Sequence, residues 1–344
     1  MLIFITDMAA GGRQTFCLTM VNELVRQGVG CALYVSYGGG ANLPRIDRRI
    51  ETCIPNRAVS RSIPRLLQFV RTHPDCPCLS LSTEITVVLC FLKRLGRIGN
   101  PIYHRESMDA AGFSFKWRML AKMFFPALSG MIVTSRAMAD AYAKYYRIKH
   151  PVAVIRNPCR FSDAMAASPS AANLSLLLAV GRLDPVKGFD RLLQSFAKNG
   201  AGYRLEIWGD GETRAELARQ ISELGITDRA YLRGHSDDIL SVYRTGGILV
   251  MSSYHEGLPN ALIEGVVCGC RAVIPECLSG AAELMEEIGV GTSVVRGDFE
   301  SNLFPTIERV KAQQAEVWET ARQKLVELTR TESVVKRIND FIQG

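Results

Sequence analysis

Apolar residues along this chain come in short runs, separated by segments whose apolar positions recur every three or four residues. Residues 2–6 form one such run. They are followed by Ala9-Ala10-Gly11-Gly12, a stretch of helical period over 15–26 and a second run at 31–36. Strand, helix and strand in that order predict a βαβ unit, which pairs its strands in parallel and lays helices on the sheet. Runs at 78–81, 101–104, 130–134 and 152–155 continue the theme, with helical stretches at 115–125 and 137–146.

Between 161 and 175 the period is lost and Ala, Ser, Pro and Asn take over, which marks a linker. A second alternating series then begins. Strands are predicted at 176–180, 203–208, 230–233, 248–251, 272–275 and 292–295, and helices at 190–197, 212–224, 237–243, 260–268 and 281–287. The charged, amphipathic tail over 302–341 is helical by pattern. The expected organisation is a first domain at 1–160, a linker at 161–175, a second domain at 176–325 and a final helix at 326–344 packing back across the domains. Two doubly wound parallel sheets bind ligands at the carboxyl ends of their strands, so the expected site is a cleft between two domains facing each other.

Composition agrees with a folded α/β chain. Of 344 residues, 47 % are hydrophobic and 22 % charged, which excludes a disordered or collagen-like chain. The longest apolar runs fall far short of the roughly 20 residues that cross a bilayer. Residues 2–5 follow Met1 at once, with no basic segment before them, so export is not expected and the expected location is cytoplasmic. The ten cysteines are scattered, the closest pairs being C-x-C, and read as reduced and buried; no metal and no cofactor is expected.

Charge is distributed unevenly. The net charge is +7, but residues 1–165 hold 22 Lys and Arg against 10 Asp and Glu, a balance of +12 that leaves −5 for the rest. A basic half points to an anionic surface, and the series Arg45, Arg48, Arg49, Arg57, Arg61, Arg65 and Arg71 suggests the inner face of a membrane. Solubilisation alone would need no partner.

Two stretches carry candidate chemistry. In the first, residues 252–264, Pro259 suits the first position of a helix whose opening N–H groups, from Asn260, Ala261 and Leu262, have no partner within the helix and form an anion site. Glu256 on the turn and Glu264 in the second helical turn reach different parts of an extended ligand, or else cap the helix and face solvent. In the second, residues 180–190, a strand end delivers Arg182, a bidentate phosphate ligand, and Lys187, a point charge. Gly11-Gly12 lacks the spacing of dinucleotide and P-loop motifs, and Gly209-Asp210-Gly211 fits an ordinary strand-to-helix loop. Of five histidines, His104 stands at a strand end, either as a base or as a ring satisfied by backbone, and Glu106 beside it could orient an acceptor hydroxyl.

These pieces occur together and in order, and their conjunction resembles the retaining glycosyltransferases of family 4, which have the GT-B fold of two Rossmann-like domains. The resemblance rests on V-G-R-L-x-x-x-K-G from Val180, I-W-G-D-G-E from Ile207, Leu232-Arg233-Gly234, and E-G-L-P-N-A-L-I-E, a Glu-x7-Glu motif from Glu256. It implies that Arg182 and Lys187 bind the donor diphosphate, Glu264 the ribose and Glu256 the transferred sugar. Gly181, Gly209, Gly234 and the segment Gly257-Leu258-Pro259-Asn260-Ala261 would line that site. It further implies that Gly11 and Gly12 form the phosphate-side loop of the first domain, and that residues 154–158 form an interdomain segment. Ser135 would end a strand near the cleft. Departures are Arg13-Gln14 after the glycine pair, Gly265 after the second glutamate and Arg271 where proline is common.

The implied reaction moves a hexose or N-acetylhexosamine from a UDP-linked donor to a glycan or lipid-linked acceptor in polysaccharide or lipopolysaccharide synthesis. A retaining double displacement needs a carboxylate pair roughly 5 Å apart, which the sequence does not name, so the resemblance implies same-face substitution assisted by the leaving phosphate. A nucleotide-sugar epimerase or a non-catalytic partner could share the fold. A nucleic-acid binder would need interleaved aromatics at a module spacing, and none is present.

Overall fold

The computed structural model describes residues 1–9, 11–107, 115–146, 148–161 and 173–344. The chain divides into two compact units, Met1–Pro158 with Thr331–Gly344, and Cys159–Arg330. Of the predicted linker, 162–172 lie outside the described residues.

The first unit alternates strands β1 (Leu2–Ile5), β2 (Ala32–Val35), β3 (Glu51–Cys53), β4 (Cys78–Ser80), β5 (Ile102–Arg105), β6 (Gly130–Val133) and β7 (Val152–Val154) with helices α1 (Gly12–Arg26), α2 (Ile63–Arg71), α3 (Thr83–Arg94), α4 (Phe115–Phe124) and α5 (Arg136–Tyr146). Every strand pairing is parallel, in the order β3-β2-β1-β4-β5-β6-β7. The central strands β1, β2, β4 and β6 are buried along their whole length because helices cover both faces, which is why they read as unbroken apolar runs.

The second unit repeats the plan. Strands β8 (Leu176–Val180), β9 (Arg204–Trp208), β10 (Ala230–Gly234), β11 (Ile248–Val250), β12 (Arg271–Pro275) and β13 (Val294–Val295) pair in the order β10-β9-β8-β11-β12-β13. Helices α6 (Phe189–Asn199), α7 (Arg214–Glu223), α8 (Ile239–Tyr243), α9 (Asn260–Val267), α10 (Ser279–Glu287), α11 (Phe299–Ala312) and α12 (Ala315–Thr329) fall between and after them. In each sheet the strand order reverses beside the first strand, between β1 and β4 and between β8 and β11. Loops leaving those strands therefore splay apart to the sides and leave a crevice at the carboxyl edge.

The tail is three helices rather than one continuous pattern. Gln313 and Gln314 take extended backbone between α11 and α12, and Arg330 does so before α13 (Thr331–Gln343). Val334, Val335, Ile338 and Ile342 of α13 share a core cluster with Phe16, Met20 and Leu24 of α1, so this helix belongs to the first unit. Arg271 finds its reason here as well. Its guanidinium is buried and donates to the carbonyls of Val310, Lys311 and Gln313 at 2.6, 3.2 and 2.8 Å, satisfying the carbonyls left open at the end of α11.

Candidate functional site

The crevice of the second unit is built by two loops that leave the adjacent strands β8 and β11. After β8, Asp184 caps a short 3-10 turn by accepting the Lys187 N–H, and Gly188 follows at φ 61. A Cβ on Gly188 would lie 2.2 Å from the Ser252 carbonyl oxygen, so glycine permits both the left-handed turn and the contact with the second loop. Further bonds clip the two loops together. Ser252 Oγ donates to the Lys187 carbonyl at 2.9 Å, and the Tyr254 N–H donates to that of Val186 at 2.8 Å.

The consequence is a close ion pair. Lys187 Nζ donates to Glu256 Oε1 at 2.7 Å, with both side chains 18 % exposed, and Ser253 Oγ donates to the same oxygen. The lysine stem passes over Gly181, where a Cβ would come within 3.2 Å of Lys187 Cε. Arg182 points outward, 80 % exposed, with its Nε donating to Asp184 Oδ2 at 2.9 Å. Gly209, at φ 140, closes the floor. A Cβ there would stand 1.8 Å from the Gly181 carbonyl oxygen, and its N–H donates to the Gly234 carbonyl at 2.8 Å.

Pro259 does not take the first helical position. Its ψ of 127 makes it the N-cap of α9, and Asn260 is the first helical residue. The Leu262 N–H turns back onto the Pro259 carbonyl at 3.2 Å instead of remaining open, because one further residue stands before the first intrahelical bond. The N–H groups of Gly257, Leu258 and Ala261 meet no acceptor among the described residues. Glu264, one turn into α9, is held by Arg160, whose Nε and terminal nitrogen donate to its two oxygens at 3.0 and 3.3 Å, and by the Tyr243 hydroxyl at 3.4 Å. Burial pushes its carboxyl above the ordinary carboxylate range, and the Arg160 cation opposes that shift.

Arg191 was not singled out by the sequence. Its guanidinium lies 4.2 Å from the ring centre of Tyr254 and 4.4 Å from that of Phe299, and donates to the carbonyls of Ser252 and Ser253 at 2.8 and 2.7 Å. It therefore sets the path of the loop that carries Glu256. Its position three residues past Gly188 is the only local signal.

In the first unit the loop after β1 is ordered by Asp7, also missed in the sequence. Its carboxylate accepts the Ala9 N–H at 3.0 Å, the Gln14 side-chain amide at 2.9 Å and the Thr6 hydroxyl at 3.2 Å. The departure Gln14 thus braces this loop. Gly11 precedes α1 in extended backbone and Gly12 opens the helix. Ser135 Oγ accepts the Met138 N–H at 3.2 Å in the first turn of α5.

His104 is fully buried, and both ring nitrogens are engaged. Nδ1 lies 2.8 Å from Thr86 Oγ1 and 3.2 Å from the Ser80 carbonyl, and Nε2 lies 3.3 Å from Glu106 Oε2. Of the two readings of His104, these contacts are those of the satisfied ring, which holds Glu106 through Nε2. Glu106 Oε2 also accepts the Thr83 hydroxyl at 3.2 Å, and Oε1 the Ser107 N–H at 2.9 Å. Between them in sequence, buried Arg105 stacks 3.5 Å above the Phe16 ring and donates to Asn157 Oδ1. Its Nε has no partner among the described residues, and burial lowers its pKa to about 9.

Two parallel-sheet α/β units of this design define the GT-B fold, and solved structures agree. The chain superposes on HepE of Anabaena, solved in complex with UDP, with a TM-score of 0.82 over 99 % of both chains at 18 % identity. Residues 162–313 match the model of the family described as glycosyl transferases group 1. Among curated relatives, the amylovoran biosynthesis glycosyltransferase AmsD of Erwinia amylovora is 27 % identical over 84 % of each chain. An alpha-1,4-N-acetyl-D-galactosaminyltransferase of Campylobacter jejuni, whose name specifies an undecaprenol diphosphate-linked glycan, is 27 % identical over 59 % of this chain and 56 % of its own length.

Proposed function

We propose that the protein is a retaining glycosyltransferase of the family-4 type, transferring a hexose or N-acetylhexosamine from a UDP-linked donor to a glycan or lipid-linked acceptor of a surface polysaccharide or lipopolysaccharide. The observation that carries this reading is the Lys187–Glu256 pair at the switch point of the second sheet, where the carboxyl-edge crevice opens. The names of AmsD and of the Campylobacter relative support the acceptor class, and the UDP complex of HepE supports the donor.

In this reading the donor diphosphate takes Lys187 from Glu256 and Arg182 from Asp184, and lies against the N–H groups of Gly257, Leu258 and Ala261. Those cations and amides stabilise the charge that grows on the diphosphate as the sugar–phosphate bond breaks, and no metal is assigned to that task. Glu256, released from the lysine, accepts hydrogen bonds from hydroxyls of the transferred sugar, while Glu264 accepts those of the ribose. The incoming hydroxyl attacks from the face that the diphosphate leaves, its proton passing to a phosphate oxygen of the leaving group, so the anomeric configuration is kept. Glu106, held by His104 and Thr83, belongs to the acceptor side of the first unit. The enzyme acts in the cytoplasm at the inner face of the membrane, and none of the described helices is long and apolar enough to cross it.

A thermal-shift panel of nucleotide sugars tests the donor, because a bound donor stabilises by mass action. Proton NMR of the product made with the stabilising donor tests the stereochemistry. No shift with any UDP-sugar, or an inverted anomeric centre, refutes the proposal; sugar-nucleotide conversion without an acceptor identifies an epimerase instead.

A further inference from the structure

Helix α4 has apolar side chains on both of its faces. Ala121 and Phe124 are buried, and Trp117 and Leu120 pack against the core of the first unit. On the opposite face Phe115, Met119 and Met123, each four residues after the last, are 72, 54 and 48 % exposed. Three large apolar side chains in line on the solvent side of one helix form a patch of the kind that marks an interaction surface. Two more exposed apolar side chains stand at the end of α3, which packs against α4: Phe91, 43 % exposed and edge-on to Phe124 at 5.9 Å, and Leu95, 56 % exposed.

The rim of this patch is basic. Lys116 and Lys122 stand on the outer side of α4, and Arg94, whose guanidinium lies 5.3 Å from the Phe124 ring, is exposed with Arg97 beside Leu95. Arg71, at the end of α2, joins them by donating to the Arg97 carbonyl at 3.3 Å. No acidic residue occurs in 85–105 or in 115–139. A second copy of this chain would bring the same cationic rim against itself in a two-fold contact, which repulsion disfavours. An anionic lipid surface fits both features. The Phe and Met side chains enter the acyl boundary, while the Lys and Arg stems extend to the headgroups.

We infer that the outer face of α4 and the end of α3 are a docking surface for an anionic membrane. The inference rests on the proposed lipid-linked acceptor, and it assigns the membrane contact to this face. Arg57, Arg61 and Arg65 of the sequence's arginine series instead line a separate cavity of about 470 Å³ beside Ile54 and Pro64.

The test is flotation of the full chain with vesicles containing about 30 mol % phosphatidylglycerol or none. Wild type is expected to float with the anionic vesicles, and partitioning should fall at least about tenfold on neutral ones or in about 0.5 M salt. The variant Phe115→Ser/Met119→Ser/Met123→Ser and, separately, Lys116→Glu/Lys122→Glu should each lose about tenfold or more. Arg57→Ser/Arg61→Ser should retain wild-type flotation. Full flotation of the triple-serine variant, or wild-type protein that never floats, overturns the inference, as does sedimentation showing a dimer that the serine substitutions dissociate. UDP titration of each variant is a separate readout. Unchanged UDP binding shows the variant folded, whereas wild type that floats without binding UDP-sugars leaves the docking surface standing and refutes the donor assignment.

Discussion

Lys187 and Glu256 are separated by 69 positions in the chain, yet their charged atoms lie 2.7 Å apart. Adjacency of β8 and β11 in the sheet places both loops at one edge, and the Gly188, Ser252 and Arg191 contacts fix their register. The pair balances a cation against a carboxylate at one point, and on the proposed function an anionic donor with hydroxyls would offer each of them a better partner.

Lys187→Ala is therefore expected to lower transfer by about 100- to 1000-fold, the usual loss for a contact to charge developing in a transition state. Glu256→Ala should reduce kcat strongly while UDP still binds. Steady-state kinetics with the identified donor, paired with calorimetric UDP titration, decides. Less than tenfold loss for the lysine variant, or no UDP binding by the glutamate variant, contradicts the assigned roles.

Glu264 supplies a pH dependence. Since burial raises its pKa, the carboxylate that would accept the ribose hydroxyls protonates at a higher pH than an ordinary glutamate, and UDP affinity should fall as pH drops through that raised value. Removing the opposing cation in Arg160→Ala should move the midpoint further upward, and an unchanged midpoint in calorimetry across pH refutes the link. Stability runs the opposite way. A carboxyl raised above its unfolded value favours folding when protonated, a contribution present below the ordinary carboxyl range and lost as pH rises through the folded value.

Arg191 positions the Glu256 loop through two charge-assisted bonds to carbonyls. Its replacement by alanine should cost about 2 kcal/mol in denaturant unfolding. UDP affinity should fall with it, because Ser252 and Ser253 lose their anchor. Lysine has one point charge where the guanidinium fork spans two carbonyls, so Arg191→Lys should recover only part of either loss.

Gly209 and Gly202 make a matched comparison. Both have positive φ, 140 and 81, but only Gly209 faces another loop, whereas a Cβ on Gly202 meets nothing within 4 Å. Gly202→Ala should cost about 1 kcal/mol of backbone strain. Gly209→Ala should cost about 3 kcal/mol or more and abolish UDP binding, since the Gly181 loop must move to admit the methyl group. Equal melting temperatures for the two variants would count against this account of the floor.

Much of the architecture can be read from the chain. Fully buried parallel strands leave unbroken apolar runs, and both series were legible for that reason. Three elements were not. The strand Glu51–Cys53 is a short, largely exposed edge with no pattern of its own, α2 spans only nine residues and carries Arg65 and Arg71, and α3 is so largely apolar that its period is blurred. The candidate loops were legible through their glycines, prolines and charges. Their partners were not, since Asp184 for Arg182, Arg160 for Glu264 and Thr86 for His104 are choices among many groups of the right charge or polarity.

The sequence alone determined the alternation of elements, the two-series organisation and the residue types gathered at 180–190 and 252–264, because periodicity and turn chemistry are local properties. Tertiary structure decided the rest. It took α13 into the first unit, enclosed His104, turned Arg182 onto Asp184 and set Lys187 against Glu256. Each of those outcomes depends on which surfaces meet across long stretches of chain, and an amphipathic face or a charge specifies a kind of partner without specifying which one.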